Sequence, residues 1–233
     1  MESLTVKTPV TGLLSGNMLK IIAAITMTID HIGYIFFPGQ MLWRVIGRIA
    51  MPIYAYMVAE GCCYTRNKLR YFLSVLGLGL LCQTVYVAFA GGWELCMPVN
   101  FAISILLVSL LEQAVQRRSV LWTLLFLVVL ALVYLINESI TIDYGFWGCM
   151  LPVFCCLPRL LGKQDHHLAV LFLGFGMVVL SYHSSIWQWY SLLALPLLLL
   201  YSGKRGKLPM KYFFYIFYPL HLAVLQGIAW LIT

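Results

Sequence analysis

The sequence predicts an all-α fold: a polytopic membrane helical bundle of about nine transmembrane helices with a cytoplasmic N-terminus. Three observations carry this expectation. The 233 residues are 62% hydrophobic and only 10% charged, with mean hydropathy +0.92, which leaves too little polar surface for a soluble domain of this size. Apolar runs of membrane-spanning length recur from end to end, so residues 1–233 read as a single domain with no segment left over. The cations, finally, fall in alternate loops.

The expected spans, in order, are Met18–Phe37, Met41–Glu60, Leu69–Ala90, Val99–Gln113, Val120–Ile136, Asp143–Leu161, His167–Tyr182, Ile186–Tyr201 and Lys211–Ile232. The fourth and seventh are short enough to tilt or re-enter. The first begins near Met18, is long enough to span and lacks an A-x-A-like exit, which argues against a cleavable signal peptide. Loop charge then tests the count. Lys7 lies in the tail, and Arg66, Lys68 and Arg70 follow the second span. Arg117 and Arg118 follow the fourth, Arg159 and Lys163 the sixth, and Lys204, Arg205, Lys207 and Lys211 the eighth. Nine crossings put all of them on one side, while the opposite loops carry Glu94 and Glu138. The positive-inside rule makes the first side cytoplasmic and places the C-terminus outside. Trp43, Trp93 and Trp187 fall near outer ends, as interfacial aromatics do.

The net charge of +7 therefore reads as membrane orientation, and nucleic acid is not expected as a partner. The seven cysteines include the pairs Cys62-Cys63 and Cys155-Cys156, neither with metal-ligand spacing. They read as reduced residues rather than a disulfide framework or a zinc site, and no metal is expected.

Chemistry concentrates where ionisable groups enter apolar runs, since each costs roughly 2.5–3.5 kcal/mol at a helix centre on insertion scales. Lys20 and His31 share one face of the first span, separated by about 16 Å along its axis, with Asp30 beside the histidine. Arg44 and Arg48 lie four apart on one face of the second span, at a depth similar to that of Asp30 and His31. Asp30 and His31 diverge by about 100° around their helix, so Asp30 is placed to hold Arg44 or Arg48, or to receive a proton through water. Two readings of these charges stand side by side: a catalytic group, or a buried ion pair tying two helices, with His31 taken alone reading as a histidine that hydrogen-bonds between helices. Lys20 near a cytoplasmic end also reads as a snorkelling lysine. Tyr218 and His221 lie about one turn apart in the last span with Pro219 between them, a pattern that suits a cavity-lining helix or a packing kink. Pro52 reads similarly. Glu60 is expected to be neutralised by the adjoining basic loop. Gln83, Asn100 and Asp143-Tyr144-Gly145 are weaker cavity candidates, and Asn and Gln also serve as ordinary interhelical glue. His166, His167 and His183 read as solvated loop residues. There is no G-x-x-x-x-G-K-[ST], H-E-x-x-H or G-x-S-x-G, which argues against a P-loop ATPase, a zinc protease and an α/β-type esterase. An embedded histidine without a paired serine or cysteine suits general-base catalysis.

The stretches LKIIAAITMTIDHIGYIFFP, WRVIGRIAMPIYAYMVAEG followed by YTRN, IDYGFWG, and KYFFYIFYPLHLAVL together resemble the TraX family of bacterial membrane proteins. That family is named for an acetyltransferase that modifies a conjugative pilin subunit, and it is similar to the wider acyltransferase-3 proteins. Those carry an Arg or Lys, ten residues, then a catalytic His, a spacing matched by Lys20 and His31. The resemblance implies an acyl-CoA-dependent acetyltransferase in the bacterial inner membrane. It would use cytoplasmic acetyl-CoA as donor and an amine or hydroxyl acceptor outside: a peptide N-terminus, a glycan or a small molecule. His31, Asp30 and Arg48 would form the catalytic group, with Lys20, Arg44, Tyr218 and His221 on the donor side. A proton-coupled transporter and a non-catalytic membrane scaffold remain the alternatives.

Overall fold

A computed structural model describes residues 12–90, 94–207 and 210–232; Lys7 and Trp93 lie outside them. The described chain is all-helical. Its helices are α1 (Gly16–Phe36), α2 (Met41–Gly47), α3 (Ala50–Tyr64), α4 (Lys68–Ala90), α5 (Met97–Arg117), α6 (Val120–Ser139), α7 (Gly145–Leu160), α8 (His166–Tyr182), a 3₁₀ helix (Ile186–Leu193), α9 (Ala194–Leu199) and α10 (Lys211–Ile232). Among the described residues five helices, α1, α4, α5, α6 and α10, are long and apolar enough to cross a membrane. This is a helical membrane protein.

Three expected spans differ, each for an identifiable reason. The second is split. Pro52 cannot donate a hydrogen bond, and its ring crowds the carbonyl four residues back, that of Arg48. The helix therefore breaks between Gly47 and Ala50, and α3 then continues to Tyr64. The eighth is split likewise. Pro196 sits in the first turn of α9, where a proline is tolerated, and the preceding turns tighten into the 3₁₀ form. The fourth is longer than expected. Pro98 occupies the first turn of α5, where a missing N–H costs nothing, and the helix runs 21 residues before Arg118 ends it in a left-handed conformation, φ 47°.

α3 forms the centre. Most of its side chains are buried, packed against α1, α5, α7 and α8. α6 is peripheral: only Val133 is buried along it, and Leu121, Leu124, Leu127, Leu132 and Leu135 are exposed, as a lipid-facing surface requires. At one end a backbone clip joins residues 12–17 to 200–205, with Leu14 N–H donating to Leu200 C=O (2.9 Å), Ser202 N–H to Leu14 C=O (2.8 Å) and Asn17 N–H to Arg205 C=O (3.0 Å). Near the other end Leu95 pairs with Thr141 and Asp143 in the same manner.

Two glycines let α1 and α2 approach closely. A Cβ on Gly33 would lie 2.1 Å from Trp43 Cβ, and one on Gly47 would lie 2.2 Å from Asp30 Cβ. Gly47→Ala is expected to lower stability by about 1–3 kcal/mol through overpacking, read as a fall in the thermal midpoint of the detergent-solubilised protein; an unchanged midpoint would contradict this packing.

Candidate functional site

The Gly33 and Gly47 contacts bring the charged residues of α1 and α2 together. Arg44 Nη1 donates to Asp30 Oδ2 at 2.9 Å, with its guanidinium carbon 5.2 Å from the Tyr34 ring centre. Of the two partners the sequence offered Asp30, the structure selects Arg44. Arg48 makes no ion pair with Asp30 among the described residues. Lying at the helix break, it donates to the Tyr144 hydroxyl at 3.3 Å and covers that ring at 5.8 Å. Asp30 Oδ1 and Arg48 Nε are buried with no hydrogen-bond partner among the described residues.

Tyr144 is held in an uncommon backbone conformation, φ 63°, of the kind that persists only where the surroundings enforce it. Fully buried Asn100 enforces it, donating from Nδ2 to the carbonyls of Asp143 (2.8 Å) and Gly145 (3.2 Å). Asn100 thus braces the turn that delivers Tyr144 to Arg48. Gln83 does comparable work: its Nε2 donates to Glu94 C=O and its Oε1 accepts from Cys96 N–H, both at 2.9 Å. Both amides act as backbone ties.

His31 meets a residue from the far end of the chain. Its Nδ1 lies 3.0 Å from Nε2 of His221, on α10, which packs against α1. His221 Nδ1 donates to the Phe217 carbonyl at 3.0 Å. Its ring stacks on Phe217, with centres 5.1 Å apart and planes 9° apart. It meets Tyr218 edge-on at 5.5 Å. The sequence placed both histidines at candidate positions but not in contact.

A cavity of about 660 Å³ has Tyr218, the neighbour of His221, in its lining. Four cations, Lys20, Arg66, Arg70 and Arg205, line it, while Val75, Leu78, Met97 and Phe101 supply apolar wall and Tyr218 also lines it. Arg70 and Leu78 lie two turns of α4 apart, about 12 Å. The Tyr54 hydroxyl, also of the lining, is buried without a partner among the described residues. Of the donor-side candidates, Lys20 and Tyr218 line the cavity, whereas Arg44 and His221 do not. His31 does not line it either.

Beside the cavity, Glu60 accepts a hydrogen bond from the Tyr201 hydroxyl and acts electrostatically on Lys20. His166 is not the solvated residue expected. It opens α8 half-buried, accepting from Tyr56 O–H at Nδ1 (2.7 Å) and donating from Nε2 to Leu198 C=O (2.9 Å), because Asp165 caps the helix one residue earlier than the sequence suggested. His183 stacks on Trp147, with ring centres 5.1 Å apart. All seven cysteines are free, and no cluster of metal-ligating residues occurs among the described residues.

The model of the family described as TraX protein matches residues 15–229. The chain belongs to the TraX family. Among curated relatives of this TraX chain, a probable fimbrial assembly protein, FimC, of Dichelobacter nodosus is 25% identical over 247 residues, covering 91% of this chain and 94% of that protein. An uncharacterized protein of Rickettsia prowazekii (strain Madrid E) is 43% identical over 54 residues, 23% of this chain and 21% of that protein. No solved structure matches the chain.

Arg44→Leu leaves the Asp30 carboxylate without its cation. It is expected to cost about 3 kcal/mol, as removal of one partner from a largely buried pair does, measured as a lowered thermal midpoint. The double variant Asp30→Asn/Arg44→Leu should regain much of that loss, and equal midpoints for the two variants would contradict the pairing.

Proposed function

We propose that this TraX-family protein is a membrane-embedded acetyltransferase that moves an acetyl group from cytoplasmic acetyl-CoA to an amine or hydroxyl acceptor at the outer side, with His31 as general base. The observation that carries this reading is the cavity: four cations and apolar side chains line it, together with Tyr218, which touches His221 of the histidine pair. A donor with a polyanionic nucleotide and a thin arm ending in a thioester has that distribution of charge. Lys20, Arg66, Arg70 and Arg205 would hold the phosphates, and the Tyr54 hydroxyl offers a hydrogen bond to an amide of the arm. The nine-crossing count, taking α2 with α3 and the 3₁₀ helix with α9 as one crossing each, puts this basic end and the N-terminus in the cytoplasm of a bacterial cell and the C-terminus outside.

In the reaction the acceptor N–H or O–H attacks the thioester carbonyl as its proton passes to the His31 imidazole. The tetrahedral oxyanion is stabilised by the Arg48 guanidinium or the Tyr218 hydroxyl. Its collapse breaks the C–S bond, and the thiolate leaves as CoA thiol with the proton that His31 returns. Asp30 and Arg44 fix the end of α1 from which His31 projects. The FimC name of the Dichelobacter nodosus relative makes a pilus or fimbrial subunit a reasonable first acceptor to assay.

Incubation of the protein in lipid nanodiscs with acetyl-labelled acetyl-CoA and an acceptor amine tests the reading. CoA thiol is expected to appear together with labelled acceptor. His31→Ala should abolish turnover while leaving the protein folded, and Arg66→Ala or Arg70→Ala should raise the KM for acetyl-CoA about tenfold, which corresponds to about 1.4 kcal/mol. Solute movement without thioester cleavage, or full turnover in His31→Ala, would overturn it.

A further inference from the structure

The two imidazoles carry a proton count that decides which nitrogen of His31 is basic. A backbone carbonyl only accepts hydrogen bonds. His221 Nδ1 lies 3.0 Å from the Phe217 carbonyl, so Nδ1 holds the proton and a neutral His221 presents a lone pair at Nε2. That lone pair faces His31 Nδ1 at 3.0 Å. A contact of this length between two ring nitrogens needs one proton, and with none on His221 Nε2 it belongs to His31 Nδ1. The reverse arrangement would set a bare His221 Nδ1 against the carbonyl oxygen, acceptor against acceptor. A second proton on either ring is disfavoured by position. His221 is only 8% exposed, and no carboxylate lies within ion-pair distance of His31 or His221 among the described residues, so an imidazolium would be buried without a counter-ion.

The geometry points to His221 as a positioning residue that holds His31 in its Nδ1–H tautomer, leaving Nε2 as the unprotonated, proton-accepting atom. The inference takes the role of His31 from the acetyltransfer reading; the tautomer itself follows from the hydrogen bonds alone. Among the described residues no hydrogen bond engages His31 Nε2, so its lone pair is not spent on the protein. Rotation of His221 out of register is resisted by the Phe217 stack on one side and the Tyr218 edge on the other. The arrangement follows the pattern by which an imidazole's second nitrogen, through its own hydrogen bond, sets which nitrogen acts.

The test reads the tautomer directly and then the kinetics, on the full chain in nanodiscs. With nitrogen-15 in the five histidines and His31→Gln for assignment, the His31 Nδ1 resonance is expected in the protonated range and Nε2 in the unprotonated range. A nitrogen–nitrogen coupling should connect His31 Nδ1 to His221 Nε2. His221→Leu, which removes the acceptor, should lose this signature and lower kcat about 10²–10⁴-fold, the usual worth of a positioned general base. Its KM for acetyl-CoA should change by no more than about twofold, since uniform binding is untouched. His221→Gln, whose Oε1 can accept from His31 Nδ1, should restore kcat to within about tenfold of wild type. A wild-type His31 protonated at Nε2, or undiminished kcat in folded His221→Leu, would overturn the inference; if the leucine variant does not fold, the wild-type spectrum decides alone. A wild-type spectrum as expected in a protein that cleaves no thioester would sink the acetyltransfer reading while leaving His221's hold on the tautomer intact.

Discussion

The contact between His31 and His221 spans 190 positions of sequence and ties the helix that opens the bundle to the helix that ends its described part. Its importance follows from the medium. Hydrocarbon offers no hydrogen bonds, so every polar group placed at depth must find its partner within the protein. The region around His31 is organised by that demand: Asp30 is met by Arg44, Arg48 by Tyr144, and His31 by His221, whose other nitrogen is met by a carbonyl of its own helix. These pairings set how α1, α2 and α10 meet, alongside the close approach of α1 and α2 at Gly33 and Gly47.

Convergence also depends on places where regular helix gives way. The break imposed by Pro52 puts Arg48 between two helices, and the left-handed backbone of Tyr144 brings its hydroxyl to that break. Asn100 carries the cost of the second irregularity by binding the carbonyls on either side of it. Irregular backbone deep in a membrane protein is tolerated where protein surrounds it, and both interruptions border the charged cluster.

What the sequence disclosed and what it withheld divide along the same line. Lys20 and His31 could be placed on one face because helical period is a local property, and Asp30 could be matched in depth to Arg44 and Arg48 because the two spans are joined by a short turn. The choice of Arg44 over Arg48 turned on the break, and Pro52 held the signal: a proline disturbs the carbonyl four residues earlier, which here is Arg48's. The histidine pair had no such signal, since nothing local sets the register of α10 against α1. His166 was misread because its partners, Tyr56 and Leu198, lie 110 and 32 positions away, although Asp165 is a good N-cap residue and hinted that the helix starts there. Asn100 and Gln83 were recognisable as polar groups in apolar runs, but their targets are backbone atoms, which composition does not reveal.

That neither histidine lines the cavity has a physiological consequence. A membrane that stores work as an ion gradient is discharged by any uninterrupted column of water across it. Here the cavity lined by Lys20, Arg66, Arg70 and Arg205 also has Tyr218 in its wall, while His31 and His221 lie outside its lining. On the acetyltransfer proposal, a chemical group would pass between the two faces of the membrane without placing them in electrical contact.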